Sequence, residues 1–205
     1  MRKLVLAAVL VLVASGAQAA LIDRGSGFIY DDVQDITWTQ NANINGLDTW
    51  ANQVAWAAGY SQTHSVYGTF DDWRLPTTLQ PDPSCSVQSG GNSYGESCTG
   101  SEMGHLFNVD GLTALSLLLG LDLNNSYWSV TDWISNEFSD TRAWAFGDSE
   151  TSDWRYQLHH LKSGNLYALA VRPGDIAAVP EPSTAVLLGL GLAGMAARRR
   201  PATAR

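Results

Sequence analysis

The sequence predicts an α+β domain made mostly of antiparallel strands, with two or three short helices and long loops. Short β-prone runs near both ends of the region 20–178 enclose helical patterns and polar stretches. That order favours α+β over a parallel α/β sheet, in which strands and helices alternate along the chain. The eight tryptophans all lie between Trp38 and Trp154, glycine is frequent, and lysine is rare. This composition favours a domain with many turns over a helical bundle.

The first elements are a hairpin and a helix. Two β-prone runs, Phe28–Tyr30 and Ile36–Trp38, flank the polar residues 31–35, which is typical of a hairpin. From Leu47 to Tyr60 apolar residues recur at helical spacing, and Gly59 can cap the end of that helix.

A loop after this helix leads into a short predicted strand. Trp73 and Leu75 alternate with Arg74, so the two apolar side chains share one face, which we expect to be the core. We expect Arg74 to form an ion pair with Asp71 or Asp72, or to bond a backbone carbonyl. Binding of an acidic sugar by this arginine is the alternative.

The remaining elements are two short helices and three strands. The segment Ser101–Phe107 opens with a helix-start residue and predicts one or two helical turns. The leucine-rich run Leu112–Leu121 predicts a short buried helix. Three further strands are predicted: Tyr127–Trp133, Arg142–Phe146 and Leu166–Val171. The last of these is almost wholly apolar, as a central buried strand would be.

The N-terminus is predicted to be a processing segment and not part of the fold. Two basic residues precede the apolar run Leu4–Val13, and an A-x-A cleavage site ends at Ala19. Residues 1–19 are therefore interpreted as a signal peptide. The region 20–178 then forms one exported domain, and its length is enough for a single hydrophobic core.

The C-terminal segment has three parts in order: Pro180-Glu181-Pro182, a run of thirteen apolar or small residues, and Arg198-Arg199-Arg200. An apolar helix that ends in arginines halts in a membrane with the arginines on the cytoplasmic side. The run covers only about 20 Å at 1.5 Å per residue, whereas the hydrocarbon core is about 30 Å thick. We therefore interpret its membrane association as transient.

This pattern resembles the PEP-CTERM sorting signal of Gram-negative bacteria, which would occupy residues 179–205. The resemblance implies recognition by an exosortase, an integral-membrane cysteine protease, with processing near the Pro-Glu-Pro motif. It also implies a brief stay in the inner membrane, followed by the cell envelope, the cell surface or the extracellular matrix. An ordinary tail anchor is the alternative, and under either interpretation the preceding domain lies outside the cytoplasm.

The domain between these segments is strongly acidic. It holds six of the twelve Lys and Arg residues and nineteen of the twenty acids, a formal charge of −13. Such a surface repels nucleic acid and anionic membranes, so neither is expected as a partner of the domain. Membrane contact is expected only through the C-terminal segment before processing. The charge suits neutral polysaccharide, divalent cations or basic protein patches.

Two cysteines, Cys85 and Cys98, flank a stretch rich in Ser, Gly and Asn. In an oxidising compartment such a pair predicts one disulfide. The bond would close a loop of about fourteen residues and stabilise the fold by roughly 3 kcal/mol in the chain-entropy model. A zinc site would need further thiols or histidines at ligand spacing, and the sequence near the pair has none.

No catalytic motif is found, so we expect no enzyme activity and no cofactor. The sequence has no G-x-S-x-G nucleophile elbow, since its one match, Gly91–Gly95, lies in the polar stretch between the two cysteines. It also lacks H-E-x-x-H, a Walker loop and a G-x-G-x-x-G that follows a strand. The four histidines are interpreted as structural or exposed, and His105 is expected to be packed with one backbone partner. If His159 and His160 lie on a strand, they point to opposite faces and cannot chelate one ion together.

We expect no cofactor, and calcium binding is the alternative that the sequence leaves open. The oxygen-richest stretches are Asp122–Ser126 and Asp148–Asp153. Neither matches an EF-hand, nor the Glu-Pro-Asn and Trp-Asn-Asp signatures of calcium-dependent lectins. We interpret both stretches as solvated turns.

Four short motifs occur in the order of a known family. The chain resembles the DUF1566 (Lcl C-terminal-type) domain of secreted and surface bacterial proteins in Gly27–Asp31, Asp72–Thr77, Tyr127–Ser129 and Ala170–Pro173. The segment Ser101–Phe107 is similar to one common where that domain precedes a PEP-CTERM tail. The resemblance implies a C-type-lectin-like fold. The segment after Trp144, with Asp148, Glu150 and Asp153, departs from a tight hairpin and predicts an extra exposed loop.

These observations lead to three functional hypotheses. The first is a non-catalytic surface or matrix protein that binds exopolysaccharide or another glycan through late-loop residues: Trp133, Trp154, Asp148 and Asp153. The second is a scaffold that recognises other envelope proteins and has no affinity for sugar. The third is an enzyme of the formylglycine-generating type, which shares the lectin-like fold and needs free cysteines.

Overall fold

The computed structural model describes residues 21–111, 116–133, 141–148 and 153–177, without the side chains of Asp148, Asp153 and Trp154. The predicted signal peptide and the C-terminal segment lie outside these residues. The first half contains β1 (Leu21–Gly25), β2 (Phe28–Asp31), β3 (Ile36–Thr39), α1 (Trp50–Gly59), β4 (Gln62–His64), β5 (Gly68–Phe70), β6 (Val87–Ser89) and β7 (Asn92–Tyr94). The second half contains α2 (Glu102–His105), a π-helix (Leu106–Asp110), β8 (Tyr127–Asp132), β9 (Arg142–Asp148), β10 (Asp153–Leu161) and β11 (Val171–Pro173).

An antiparallel sheet in the order β1-β2-β3-β11 joins the two ends of the domain. The predicted hairpin is confirmed, because β2 and β3 pair with Ile29 opposite Trp38. Both side chains are fully buried. The last strand pairs with the same tryptophan through Val171. The sheet therefore closes the domain by placing its final strand beside a strand from its beginning.

A second antiparallel sheet, in the order β10-β9-β8, has buried side chains on both faces. Trp128, Ala143 and Ala145 belong to one hydrophobic cluster together with Ala57 of α1. Tyr127 and Phe146 belong to another cluster, which includes residues of α2 and the π-helix. Successive strand residues point to opposite faces. The sheet thus lies between the two helical elements, and the α+β class with antiparallel strands is confirmed.

The segment Leu166–Val171 is not the central strand that the sequence predicts. The segment is buried as expected, but only Val171–Pro173 forms a strand, at one side of the first sheet. Its backbone bonds are shared among several segments: Leu166 pairs with Asp48, and Tyr167 accepts a bond from Trp128. The segment therefore bridges the two sheets and has no continuous partner strand. The longest strand, β10, was not predicted at all.

Helix boundaries differ from the prediction in three places. The first helix begins at Trp50 and ends at Gly59, so the predicted start at Leu47 lies outside it and is half exposed. The helical segment that begins after Ser101 extends through the π-helix to Asp110, longer than predicted. Residues 112–115 of the predicted leucine-rich helix lie outside the described residues. In the described part only residues 116 and 117 are helical, and Leu119 instead forms a parallel bridge with Asn41. Leu118 is buried and Leu119 is exposed.

Arg74 pairs with neither Asp71 nor Asp72, but the predicted alternative of a bond to a backbone carbonyl is present, because the guanidinium donates to the Leu75 carbonyl at 3.1 Å. Its guanidinium donates to both carboxylate oxygens of Glu102, at 2.7 and 2.6 Å. Asp72 instead accepts a bond from Arg172 at 2.7 Å, which is the main cause that lowers the pKa of its carboxyl. The reason is the backbone bridge between Arg74 and Val171, which places Arg172 beside Asp72. Trp73 and Leu75 are buried, as predicted.

Candidate functional site

A polar cleft of about 400 Å³ lies between the disulfide loop and the second sheet. One wall is the turn between β6 and β7, a second is the segment around Gln80, and the third is the end of β8. Trp144 of β9 lies at the base and is almost completely buried. The polar side chains that line the cleft carry amide, hydroxyl and carboxylate groups: Gln80, Asn92, Thr131 and Asp132.

The predicted disulfide holds the first wall. Cys85 and Cys98 are bonded to each other, and both are buried. Between them β6 and β7 form a hairpin with Ser89 opposite Asn92, so Gly90 and Gly91 are its two-residue turn. Both glycines have positive φ, 57° and 81°, as hairpin turns of this length require. Because they have no side chain, they leave the mouth of the cleft open.

Hydrogen bonds fix the other walls. The Gln80 amide donates to the Ser93 carbonyl at 2.8 Å and accepts from the Ser93 N–H at 2.7 Å. The Thr131 hydroxyl accepts from the Thr78 N–H at 2.8 Å. These bonds join three segments that are far apart in sequence. The cleft is therefore preorganised, which reduces the entropy cost of binding a ligand.

The side of the cleft near Asp132 continues into an aromatic cluster. Asp132 forms an ion pair with Lys162, whose ammonium lies 4.3 Å from the ring centroid of Trp50. The ring of His159 lies 6.0 Å from that of Trp144 and 4.4 Å from that of Trp133. Burial, followed by the charge of Arg142, lowers the pKa of His159. This shift favours the neutral form of the imidazole.

The predicted glycan contacts do not form one site. The side chain of Trp133 is half-buried, and its backbone N–H donates to the Arg142 carbonyl at the start of β9. Asp148 and Asp153 are Cα partners at the other end of the β9–β10 pair, about 20 Å away for a strand of this length. Trp154 follows Asp153 in β10. The rest of the predicted exposed loop, residues 149–152, lies outside the described residues.

Trp133, the candidate whose side chain the structure describes, belongs to the surroundings of the cleft, because it follows Asp132 and contacts the same histidine as Trp144. The polar side chains of the cleft were not among the predicted contacts: Gln80, Asn92, Thr131 and Asp132. The pair Gly90-Gly91 between two short polar runs is a hairpin signal that points to one wall. No comparable local pattern indicates which distant segments face that hairpin.

The described part of the oxygen-rich stretch at Asp122 is a closed turn. The Asp122 carboxylate accepts from the Asn124 N–H at 3.0 Å and from the Asn125 amide at 2.7 Å. This is the self-bonded geometry of an Asx turn. His64 is likewise engaged, since Nε2 lies 3.0 Å from the Arg24 carbonyl and Nδ1 accepts from backbone N–H groups. The expectation of a structural role fits both residues.

His105 departs from its expected environment. We expected one backbone partner, but its Nε2 is buried and has no hydrogen-bond partner. The nearest carboxylate oxygen belongs to Asp110, at 3.9 Å, which is too long for a hydrogen bond.

The fold and the cleft together define an α+β domain with a preorganised polar groove. The chain also carries a PEP-CTERM protein-sorting motif, matched by a family model over residues 178–200. This match confirms the predicted C-terminal motif and implies export with processing by an exosortase. No curated protein and no solved structure matches the chain significantly. In the described part of the chain, no helix is both long and apolar enough to cross a membrane.

Proposed function

We propose that the domain is a non-catalytic glycan-binding module, which an exosortase delivers to the cell surface or extracellular matrix. The cleft between the disulfide hairpin and the second sheet carries this proposal. Its amides, hydroxyls and carboxylate are the groups that bind the hydroxyls of a sugar. The formal charge of −13 for residues 20–178 favours a neutral exopolysaccharide over an acidic one.

The contacts among the recognised motifs support membership of the DUF1566 family and a C-type-lectin-like fold. Arg74 of the Asp72–Thr77 motif pairs with Glu102 of the Ser101–Phe107 motif. The backbone of the same arginine bonds Val171 of the closing motif in both directions, at 2.8 Å each. Three motifs that are far apart in sequence thus meet at one arginine.

The disulfide supports a non-catalytic role. Both cysteines are bonded to each other, whereas an enzyme of the formylglycine-generating type needs them free. Among the described residues that line the cleft, none is a histidine, cysteine or lysine. A thiol titration of the folded chain that finds two reactive cysteines would favour the enzyme.

The first prediction concerns sugar binding. We expect Asn92→Ala to weaken binding to the producer's own exopolysaccharide about 5- to 10-fold, because one amide worth roughly 1 kcal/mol is lost from the cleft. The Asn92 amide makes only a 3.5 Å contact with the Gly90 carbonyl, so the fold should be preserved. Isothermal titration with the purified polysaccharide, with and without calcium, measures the effect.

The matched control is Asn124→Ala, which removes an exposed asparagine amide at the Asp122 turn. This variant should bind like the unchanged chain. Equal binding by both variants would place the sugar site elsewhere. If the unchanged chain binds no glycan but retains specific envelope proteins, the scaffold hypothesis replaces the glycan one.

The second prediction concerns sorting. Mass spectrometry of the mature protein from its native host should show an N-terminus at Ala20 and a C-terminus near Pro180–Pro182. Replacing Arg198, Arg199 and Arg200 by glutamine should leave the C-terminus uncut, because the cationic stop is removed. Arg205→Gln changes an arginine outside this cluster and should be processed normally. A mature chain that still ends at Arg205 would contradict processing by an exosortase.

A further inference from the structure

Three side chains from separate elements converge in the interior beside the first sheet. Asp31 ends β2, His105 ends α2, and Asp110 ends the π-helix. One ligand atom of each lies within 4.8 Å of the other two. The first two belong to the Gly27–Asp31 and Ser101–Phe107 motifs, which are 74 positions apart in the sequence when counted from Asp31 to His105. Because of this separation, no metal-ligand spacing is visible in the sequence.

Two polar atoms of this cluster, one on His105 and one on Asp110, lack hydrogen-bond partners. The Asp110 side chain is only 3% exposed and the His105 side chain 16%. Asp110 Oδ2 and His105 Nε2 are buried without any hydrogen-bond partner. A buried polar atom without a partner is costly, and a charged one more so. Two such atoms that face each other therefore indicate a site whose ligand supplies the missing interactions.

The π-helix explains how His105 and Asp110 come to face each other. They are five residues apart, and in an α-helix such residues point about 140° away from each other. The bond from the Gly111 N–H to the Leu106 carbonyl, at 3.1 Å, spans five residues, as a π-helix requires. Because one turn of a π-helix holds more residues than one turn of an α-helix, side chains five positions apart, such as those of His105 and Asp110, lie on nearly the same side. Single π-turns of this kind occur frequently at functional sites.

Asp31 is held in place from the opposite side. Its carboxylate accepts bonds from the Val33 N–H at 3.1 Å and the Gln34 N–H at 3.0 Å. The Gln34 amide donates a third bond at 2.6 Å and also bonds the Glu102 carbonyl. A carboxylate has about four lone-pair sites, so one remains for a ligand. Partners of this kind orient a metal ligand.

The electrostatics of the cluster favour a cation. Burial, followed by the charge of Asp31, raises the pKa of Asp110 to about 6. The carboxyl group is thus destabilised in its charged form by a low-dielectric setting and by a second acid. A bound divalent cation would reverse both effects, since it interacts favourably with each carboxylate.

We propose that Asp31, His105 and Asp110 bind one divalent transition-metal cation, of which Zn²⁺ is the representative. An imidazole nitrogen with two carboxylate oxygens is a zinc-type ligand set, whereas Ca²⁺ and Mg²⁺ take oxygen ligands. At bond lengths of about 2.0–2.2 Å, tetrahedral ligand atoms lie roughly 3.3 Å apart. The separation of 3.9 Å between His105 and Asp110 then needs to shrink by about half an ångström. The ligand atoms of the other two pairs lie within 4.8 Å of each other and need to approach by up to about 1.5 Å.

The expected role of the ion is structural. The ion would join the turn after β2 to the helical segment that carries Glu102. It would thereby link the Gly27–Asp31 motif to the Ser101–Phe107 motif, which the Arg74–Glu102 ion pair already links to the Asp72–Thr77 motif. This site is independent of the glycan cleft. Failure of either proposal leaves the other unchanged.

The experiment uses the full chain without a polyhistidine tag, purified in mild detergent and stripped with a chelator. We expect one Zn²⁺ per chain by elemental mass spectrometry. The thermal midpoint should rise by about 5 to 10 °C when free Zn²⁺ is at 100 times its Kd. Mg²⁺ and Ca²⁺ should each raise it by less than about 2 °C, because the imidazole disfavours them.

Two ligand variants locate the site. Asp110→Asn and His105→Gln should each weaken Zn²⁺ binding by at least about 100-fold and abolish the thermal response. Without metal, Asp110→Asn should have an equal or higher midpoint, because it removes a buried carboxylate charge. If the Asp110 carboxylate only stabilised the fold, Asp110→Asn would instead lower the thermal midpoint of the metal-free chain. Asp32→Asn and His160→Gln are the matched controls and should bind Zn²⁺ normally.

Two results would overturn the proposal. One is the absence of stoichiometric Zn²⁺ in the unchanged chain after loading. The other is unaltered Zn²⁺ affinity in both Asp110→Asn and His105→Gln, which would assign the metal to another part of the chain.

Discussion

Replacing Cys85 and Cys98 together by alanine is expected to lower the free energy of unfolding by about 3–4 kcal/mol. The bond closes a loop with a sequence separation of 13, for which the chain-entropy term is roughly 3 kcal/mol. The remainder comes from lost packing, because both sulfurs are buried. The thermal midpoint should fall by about 10 °C for a domain of this size. Because the hairpin between the cysteines forms a wall of the cleft, glycan binding should weaken as well.

Urea unfolding followed by tryptophan fluorescence measures this effect in three samples. The oxidised chain is the reference, the same chain under a reducing agent lacks only the bond, and the double alanine variant also lacks the sulfurs. Reduction should account for most of the loss. The alanine variant should not respond to the reductant, which controls for side effects of the reagent. A loss below about 1 kcal/mol on reduction would show that the loop is ordered without the bond.

The sequence predicted those parts of the fold that depend on neighbouring residues. The hairpin of β2 and β3 follows from two apolar runs around a polar turn. The inward position of Trp73 and Leu75 follows from alternation, and the disulfide follows from the compartment and the spacing. In each case the deciding interaction lies within about fifteen residues, where periodicity and turn chemistry are informative.

The missed elements depend on buried polar groups. The strand β10 contains Gln157, His159 and His160, so its pattern is not that of an apolar strand. Gln157 is nevertheless fully buried, because its amide accepts from the Ser101 hydroxyl and donates to the Ser93 carbonyl. A buried polar side chain is stable only when such partners exist. The sequence does not show partners that are more than fifty positions away.

The cleft and the three-residue cluster escaped prediction for the same reason. Gln80 meets Ser93 through a turn that could be anticipated, but Thr131 and Trp144 come from another sheet. Likewise, Arg74 had two acids beside it in sequence and pairs with Glu102, 28 positions away. Local charge patterns identify the groups that need partners. Only the packing of the two sheets against α2 decides which partners they receive.

The second large effect is expected at Gly104, the third residue of α2. A Cβ atom at this position would lie 2.4 Å from the Cys98 carbonyl oxygen, far inside van der Waals contact. That carbonyl is held on both sides, because it accepts a bond from the Asn108 amide at 2.7 Å and its residue is in the disulfide. The helix therefore approaches the disulfide loop closely only because this residue is glycine.

Gly104→Ala should lower the free energy of unfolding by about 2–3 kcal/mol, because overpacking against a fixed backbone forces the helix away from the loop. Helix propensity alone predicts the opposite sign, a gain of up to about 1 kcal/mol. Gly59→Ala is the matched control, since this helical glycine has open space where its Cβ would be and should become more stable by roughly 0.5 kcal/mol. Urea unfolding of both variants measures the difference. If Gly104→Ala is stabilised like Gly59→Ala, the close contact between α2 and the disulfide loop is wrong.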